Sequence, residues 1–126
     1  MIISLFTSCI LCVVTEKGSV HDFKIFKDSA LLIHPDLMIL ADLGYLGLNK
    51  LHVNSWIPHK NSKKKKLNKE QKKDNKALAS LRITIENVNR KCKIFRVVKE
   101  TYRGKHKNYS KVWNVVAGLV NLRYAA

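Results

Sequence analysis

Apolar and polar positions divide the chain into stretches of different period. Residues 2–14 are rich in Ile, Leu, Phe, Val and Cys, the pattern of buried strand, as two short strands or one long one. Residues 15–19 (TEKGS) read as a turn. In residues 21–33 (HDFKIFKDSALLI), Phe23, Phe26, Ala30 and Ile33 fall at three- and four-residue steps and predict a helix. His34-Pro35 should end it, because the residue before a proline avoids helical angles. Residues 37–41 (LMILA) form a short apolar run, as in a strand covered on both faces. LGYLGLNK follows as a loop or short helical turn, and residues 51–58 (LHVNSWIP) are a further candidate strand stopped by Pro58.

The pattern then changes. Residues 59–76 have almost no apolar content, and their first part, 59–68, is expected to be a flexible basic loop. Such a segment lacks the apolar surface that would offset its ordering entropy. A long helix should begin near Asn68, a good N-cap with Glu70 and Gln71 close behind, and run to about Lys93. Along it Leu78, Leu81, Ile85, Val88 and Cys92 make one buried stripe. Residues 94–98 read as extended, and TYRGKHKN as a basic turn. A final helix over 109–124 should bury Trp113, Val116, Val120 and either Ala117 or Leu119. Strand–helix–strand alternation of this kind implies an α/β fold, a mixed sheet flanked by helices with at least one parallel pair. A chain of 126 residues suits one domain.

Charge adds a division that hydropathy does not show. Residues 1–58 carry a net −1 and residues 59–126 a net +16. A nearly neutral apolar half joined to a very basic half points to a core with a polyanion-binding surface. Lys63, Lys64, Lys65 and Lys66 are its densest part, suited to sequence-independent phosphate binding. Cys9, Cys12 and Cys92 are too few for a disulfide framework. CILC has metal-knuckle spacing but sits in a strand-like run, where residues three apart point to opposite faces, and no second Cys/His pair accompanies it. Reduced packing thiols and a cytoplasmic setting are expected. The opening MIISLFTSCILCVV lacks a basic n-region and is shorter than the roughly 20 residues of a spanning helix, so no membrane partner is expected. A start directly on a strand points to a segment upstream.

The chemistry-bearing residues lie where these patterns meet. Asp42 ends an apolar strand, and in open α/β sheets ligands gather at the carboxyl ends of strands. Gly44 and Gly47 beside it allow close approach of backbone or phosphate. On the long helix, Arg82, Glu86, Asn89 and Lys93 fall on one line beside the apolar stripe. Two carboxylates, Asp42 and Glu86, suit hard divalent cations, which take oxygen ligands and activate water in phosphodiester chemistry. Arg82 and Lys93 suit phosphate contacts. An ordinary helix with an i,i+4 Arg–Glu pair gives the same spacing, so spacing alone leaves both readings open.

Taken in order, VHDFKIF, ADLGYLGL, LNKEQKKDNKALASLRITIENVNRKCKIF and NVVAGLVNLR resemble the blocks of the DDE-type transposases of bacterial insertion sequences. The resemblance is to the insertion-sequence-five-like branch and the DDE superfamily endonuclease domain, over nearly the whole chain. It implies a ribonuclease-H-like fold, with Asp42 as the second catalytic aspartate and Glu86 as the catalytic glutamate. Both would hold Mg2+ or Mn2+. It also implies DNA partners, transposon ends and target, and metal-dependent strand cleavage and transfer in the complete enzyme.

The departures from the family pattern are informative. The family's first catalytic aspartate lies on the first strand, and here nothing acidic precedes Glu16, which falls in a turn. Where some relatives place a tyrosine three residues before the arginine, this chain has Ala79. The expectation is a partial fold with its first catalytic strand missing: residues 1–126 as the carboxyl-terminal part of one catalytic domain, inactive alone. An upstream transposase fragment or a full-length transposase is an expected partner. The alternatives are a non-enzymatic basic nucleic-acid-binding protein and an inhibitor that pairs with full-length transposase. His21 and Asp22 either support a loop near the site or serve only the following helix, Asp22 as its cap. Trp56 and Trp113 read as core.

Overall fold

The computed structural model describes residues 1–124. In chain order its elements are β1 (Ile2–Ile3), β2 (Ile10–Cys12), α1 (Asp22–Asp28), β3 (Ile39–Leu40), β4 (Ser55–Trp56), α2 (Lys69–Cys92), α3 (Arg96–Lys99) and α4 (Tyr109–Tyr124). Short 3-10 turns occupy Leu43–Tyr45, Leu48–Lys50 and His106–Asn108. The chain forms two compact units, Gly18–Arg82 and the combination of Met1–Lys17 with the chain from Ile83 onward. This is a mixed α/β architecture, but with two small two-stranded sheets, one in each unit, instead of one mixed sheet. No described helix is long and apolar enough to cross a membrane.

In the unit built from both chain ends, the opening apolar run is two strands. Ser4, Thr7 and Ser8 break it: Ser8 takes a positive φ of 58°, and its N–H donates to the Ser4 carbonyl at 2.8 Å. The hairpin pairs Ile2 with Cys12 and Ile3 with Ile10, antiparallel. The outer edge of β2 is closed by one side chain: Asn121 accepts from the Ile10 N–H at 2.8 Å and donates to the Ile10 carbonyl at 2.9 Å. An Asn amide offers one acceptor and a donor pair, so it replaces a missing neighbour strand at this residue. The core of the unit joins Ile10, Val88, Cys92, Val98, Val116, Ala117 and Val120, with Trp113 and Phe95 packed against it. Ala117, not Leu119, is the inward residue of α4; Leu119 is 45% exposed.

Residues 94–98 are not extended. Phe95 leads into the short helix α3, whose Val98 is buried in the core. Val97 stays in the open, so the segment has one inward residue per turn, as a helix requires.

In the Gly18–Arg82 unit, α1 is shorter than its apolar spacing suggests. His21, not Asp22, is the N-cap; its Nδ1 accepts from the Phe23 N–H at 3.3 Å. Asp22 is the first helical residue, favourable to the helix dipole. The helix stops at Asp28, where the Ser29 hydroxyl donates to the Phe26 carbonyl and Ala30 takes a φ of 49°. Leu31 and Leu32 are exposed, so the apolar residues beyond Asp28 form no helical face.

β3 and β4 pair in parallel, Ile39 opposite Ser55 and Leu40 opposite Trp56. β3 is only half-buried, with Leu37 and Met38 exposed, so it is not covered on both faces. The long helix starts where expected: Asn68 and Gln71 form a reciprocal capping box, with donor–acceptor distances of 2.7 and 3.1 Å. Of its apolar stripe Leu78, Val88 and Cys92 are fully buried and Ile85 half-buried, while Leu81 is 39% exposed.

Candidate active site

Asp42 follows β3 after Ala41, whose N–H still donates to the Trp56 carbonyl, and caps the 3-10 turn Leu43–Tyr45, its Oδ1 accepting from the Gly44 N–H at 2.9 Å. The cap bond fixes one carboxylate oxygen. The other, Oδ2, lies 3.8 Å from a terminal nitrogen of Arg82 on α2. A parallel strand thus delivers an acidic side chain at its carboxyl end, and a helix supplies the facing cation. Both side chains are partly exposed, at 46% and 38%. A pocket of about 340 Å³ opens over them, lined by Asp42, Leu43, Gly44, Pro58, Asn75, Ala79 and Arg82.

The surroundings explain the spacing of the neighbouring residues. At Gly44 an added Cβ would stand 3.0 Å from Asp42 Oδ1 and 3.9 Å from the His21 ring, so glycine keeps the cap close. Gly47 takes a φ of 95°, a left-handed conformation that favours glycine, and leads into the turn that buries Leu48. Tyr45 sits edge-on to Phe23 and Phe26, with ring centroids 5.8 and 6.2 Å away. Burial raises the Tyr45 pKa first, and the charges of Asp22 and Asp42 push it the same way. His21 and Asp22 therefore stand beside the Asp42 turn as well as starting α1. Ala79 borders the pocket, where a short side chain leaves it open.

Sequence reasoning missed Asn75. Its side chain accepts from the His59 N–H at 2.8 Å and donates to the His59 carbonyl at 3.0 Å, while His59 Nε2 lies 3.6 Å from Asp74. The lysine run therefore leaves from a fixed point beside the pocket. Two Asn–backbone clamps of this kind, at Asn75 and Asn121, have no signal in hydropathy. Lys63, Lys64, Lys65 and Lys66 are all exposed, with the Ser62 and Lys65 backbones bonded to each other.

Asp42, Arg82, Gly44, Gly47, His21 and Asp22 all belong to the Gly18–Arg82 unit. Glu86, further along α2, and Lys93, just past its end, are exposed residues in the other unit. Among the described residues no group of three or more His, Cys, Asp or Glu side chains is gathered for a metal ion.

The family model of the DDE superfamily endonucleases matches residues 1–121. The chain belongs to this family. A relative, the probable transposase for insertion sequence element IS702 of Microchaete diplosiphon, is 43% identical over 119 residues. The match covers 94% of this chain and 43% of the relative, so the chain spans less than half of that protein's length. No solved structure matches this DDE superfamily chain.

Proposed function

We propose that this chain is part of a bacterial insertion-sequence transposase that acts on DNA in the cytoplasm. In this reading it forms the carboxyl-terminal part of one ribonuclease-H-like catalytic domain. Asp42 and Glu86 are its carboxylates for metal-dependent strand cleavage and transfer. The observation that carries the reading is the position of Asp42, at the carboxyl end of a parallel strand and facing Arg82 across an open pocket, in a chain of the DDE family.

The donor set tests the metal requirement. Asp42 has an oxygen that faces the pocket cation and takes no cap bond, a hard donor suited to Mg2+ or Mn2+. With Glu86 the chain offers two carboxylates, and the described residues gather no third ligand. The residues fit such an ion as contributors to a shared set, completed by a carboxylate from outside this chain. When bound, the ion supplies a polarised water or hydroxyl and charge for the leaving oxygen. Until then Arg82 balances the charge of Asp42. The same guanidinium and, separately, Lys93 are each suited to DNA phosphates. Lys63–Lys66 add affinity without sequence preference.

Strand cleavage is the test. The chain mixed with the remaining segment of a transposase of this family should nick DNA in the presence of Mg2+ or Mn2+, and the chain alone should not. A second reading is favoured by the missing third ligand: a basic, non-enzymatic fragment that pairs with full-length transposase and inhibits it. Loss of a full-length transposase's activity on adding the chain, with no cleavage from the mixture, would favour that reading and overturn the first.

A further inference from the structure

The corner between α2 and α3 carries a second concentration of charge, in the unit that does not contain Asp42. Arg90 is on the last turn of α2, and Lys93 directly follows the helix with its N–H still donating to the Asn89 carbonyl at 3.1 Å; Arg96 and Lys99 lie three apart on α3 and share a helix face. The four cations, with Ile94 between them, line an open pocket of about 440 Å³. The corner is held in place from beneath. Cys92 and Val98, on either side of the turn, are both buried in the core, and the Phe95 N–H donates to the Cys92 carbonyl at 3.1 Å. Only Arg96 has a counter-charge, Glu100 at 2.8 Å. Arg90, Lys93 and Lys99 have no ion-pair partner among the described residues.

Cations that line one pocket repel one another, and the partial negative charge at the carbonyl end of α2 offsets this only in part. Such an arrangement is stabilised when a polyanion occupies it. Ile94, 61% exposed, adds apolar surface to the pocket lining. A sugar–phosphate backbone presents both features at once, closely spaced charges and apolar sugar edges.

We propose that the α2–α3 corner is a phosphodiester-binding pocket for the nucleic-acid backbone, with Arg90, Lys93 and Lys99 as its contacts. It is separate from the lysine run at 63–66. The proposal rests on the DNA-binding part of the reading above, which already includes Lys93, and extends it to Arg90 and Lys99.

The test measures the salt dependence of binding of the full chain to a random-sequence DNA duplex. It compares wild type, Arg90→Gln/Lys99→Gln, and a variant with Lys63–Lys66 changed to Gln. Both corner substitutions are at exposed positions, and far-UV circular dichroism with a melting curve checks that the fold is kept. Losing two phosphate contacts should flatten the slope of log affinity against log salt by about 1.8. Raising salt from about 50 to about 200 mM should then weaken the corner variant about tenfold less than wild type. An unchanged slope in the corner variant, with a flattened slope in the lysine-run variant, would overturn the corner proposal and leave DNA binding standing. No salt-dependent binding by wild type would overturn both. Poly-glutamate of matched charge should compete weakly; equal competition that disappears in the corner variant would assign the pocket to an acidic protein and overturn the nucleic-acid proposal.

Discussion

A guanidinium nitrogen of Arg82 stands 3.8 Å from Oδ2 of Asp42, while Oδ1 of the same carboxylate caps the following turn through the Gly44 N–H. One oxygen therefore serves the backbone, and the other faces the pocket. The division separates what this aspartate contributes to folding from what it offers a ligand.

That separation predicts different outcomes for two substitutions. Asp42→Asn keeps an oxygen for the Gly44 N–H and should leave stability nearly unchanged. Asp42→Ala loses the cap and should cost about 1 kcal/mol. Arg82→Gln removes only a partly exposed ion pair and should cost no more than about 1 kcal/mol. Urea denaturation of the three variants checks the order. A cost for Asp42→Asn as large as that of Asp42→Ala would mean that charge, not the cap, holds the turn.

Asn121 bonds both backbone groups of buried Ile10. Asn121→Leu should leave that N–H and C=O without partners and destabilise the protein by about 1–3 kcal/mol per orphaned group. Thermal denaturation measures this. A change within about 0.5 kcal/mol would show that water satisfies both groups.

Much of this architecture is legible in the sequence, wherever a local rule and the tertiary packing agree. The start of α2 follows from Asn68 and Gln71, which cap each other without help from elsewhere. The span of α4 follows from its period, and the inward choice of Ala117 over Leu119 needed the packing of Val116 and Val120 to decide it. Asp42 at a strand end was legible because the apolar run stops there. Its pairing with Arg82 was not, because forty residues separate them and no local pattern encodes the contact. The overlong reading of α1 has a physical cause. Ala30 and Ile33 continue the helical period, but the Ser29 hydroxyl bond and the left-handed conformation of Ala30 end the helix first. Leu81 lies in the helical stripe yet remains exposed, since a period names a face and not what covers it.

Tyr45 gives a pH dependence with a definite sign. Its folded pKa is raised above the ordinary value near 10, by burial first and then by Asp22 and Asp42. Above pH ~10 the unfolded chain loses this proton before the folded one does, so the unfolded state gains. Stability contributed by the neutral phenol is full below pH ~10 and is lost as pH rises through the folded pKa. Tyr45→Phe should make alkaline destabilisation less steep. Equal steepness in wild type and variant would place the phenol in water.

The lysine run makes a claim about affinity alone. Changing Lys63–Lys66 to Gln should weaken binding to all DNA sequences alike and flatten the log–log salt slope by up to about 3.6, four contacts' worth. Anisotropy titrations with two unrelated duplexes measure it. A loss confined to one duplex would make the run a sequence reader.

Asp42 and Glu86 carry the central claim, and one comparison tests it most directly. The chain, its Asp42→Asn variant and its Glu86→Gln variant are each mixed with the remaining segment of a transposase of this family. Mn2+-dependent DNA cleavage and DNA binding are then read side by side. The account predicts that both variants bind DNA as wild type does and that cleavage falls by at least about a hundredfold, as loss of a residue needed for metal-assisted chemistry should produce. Cleavage at the wild-type rate by either variant would contradict it.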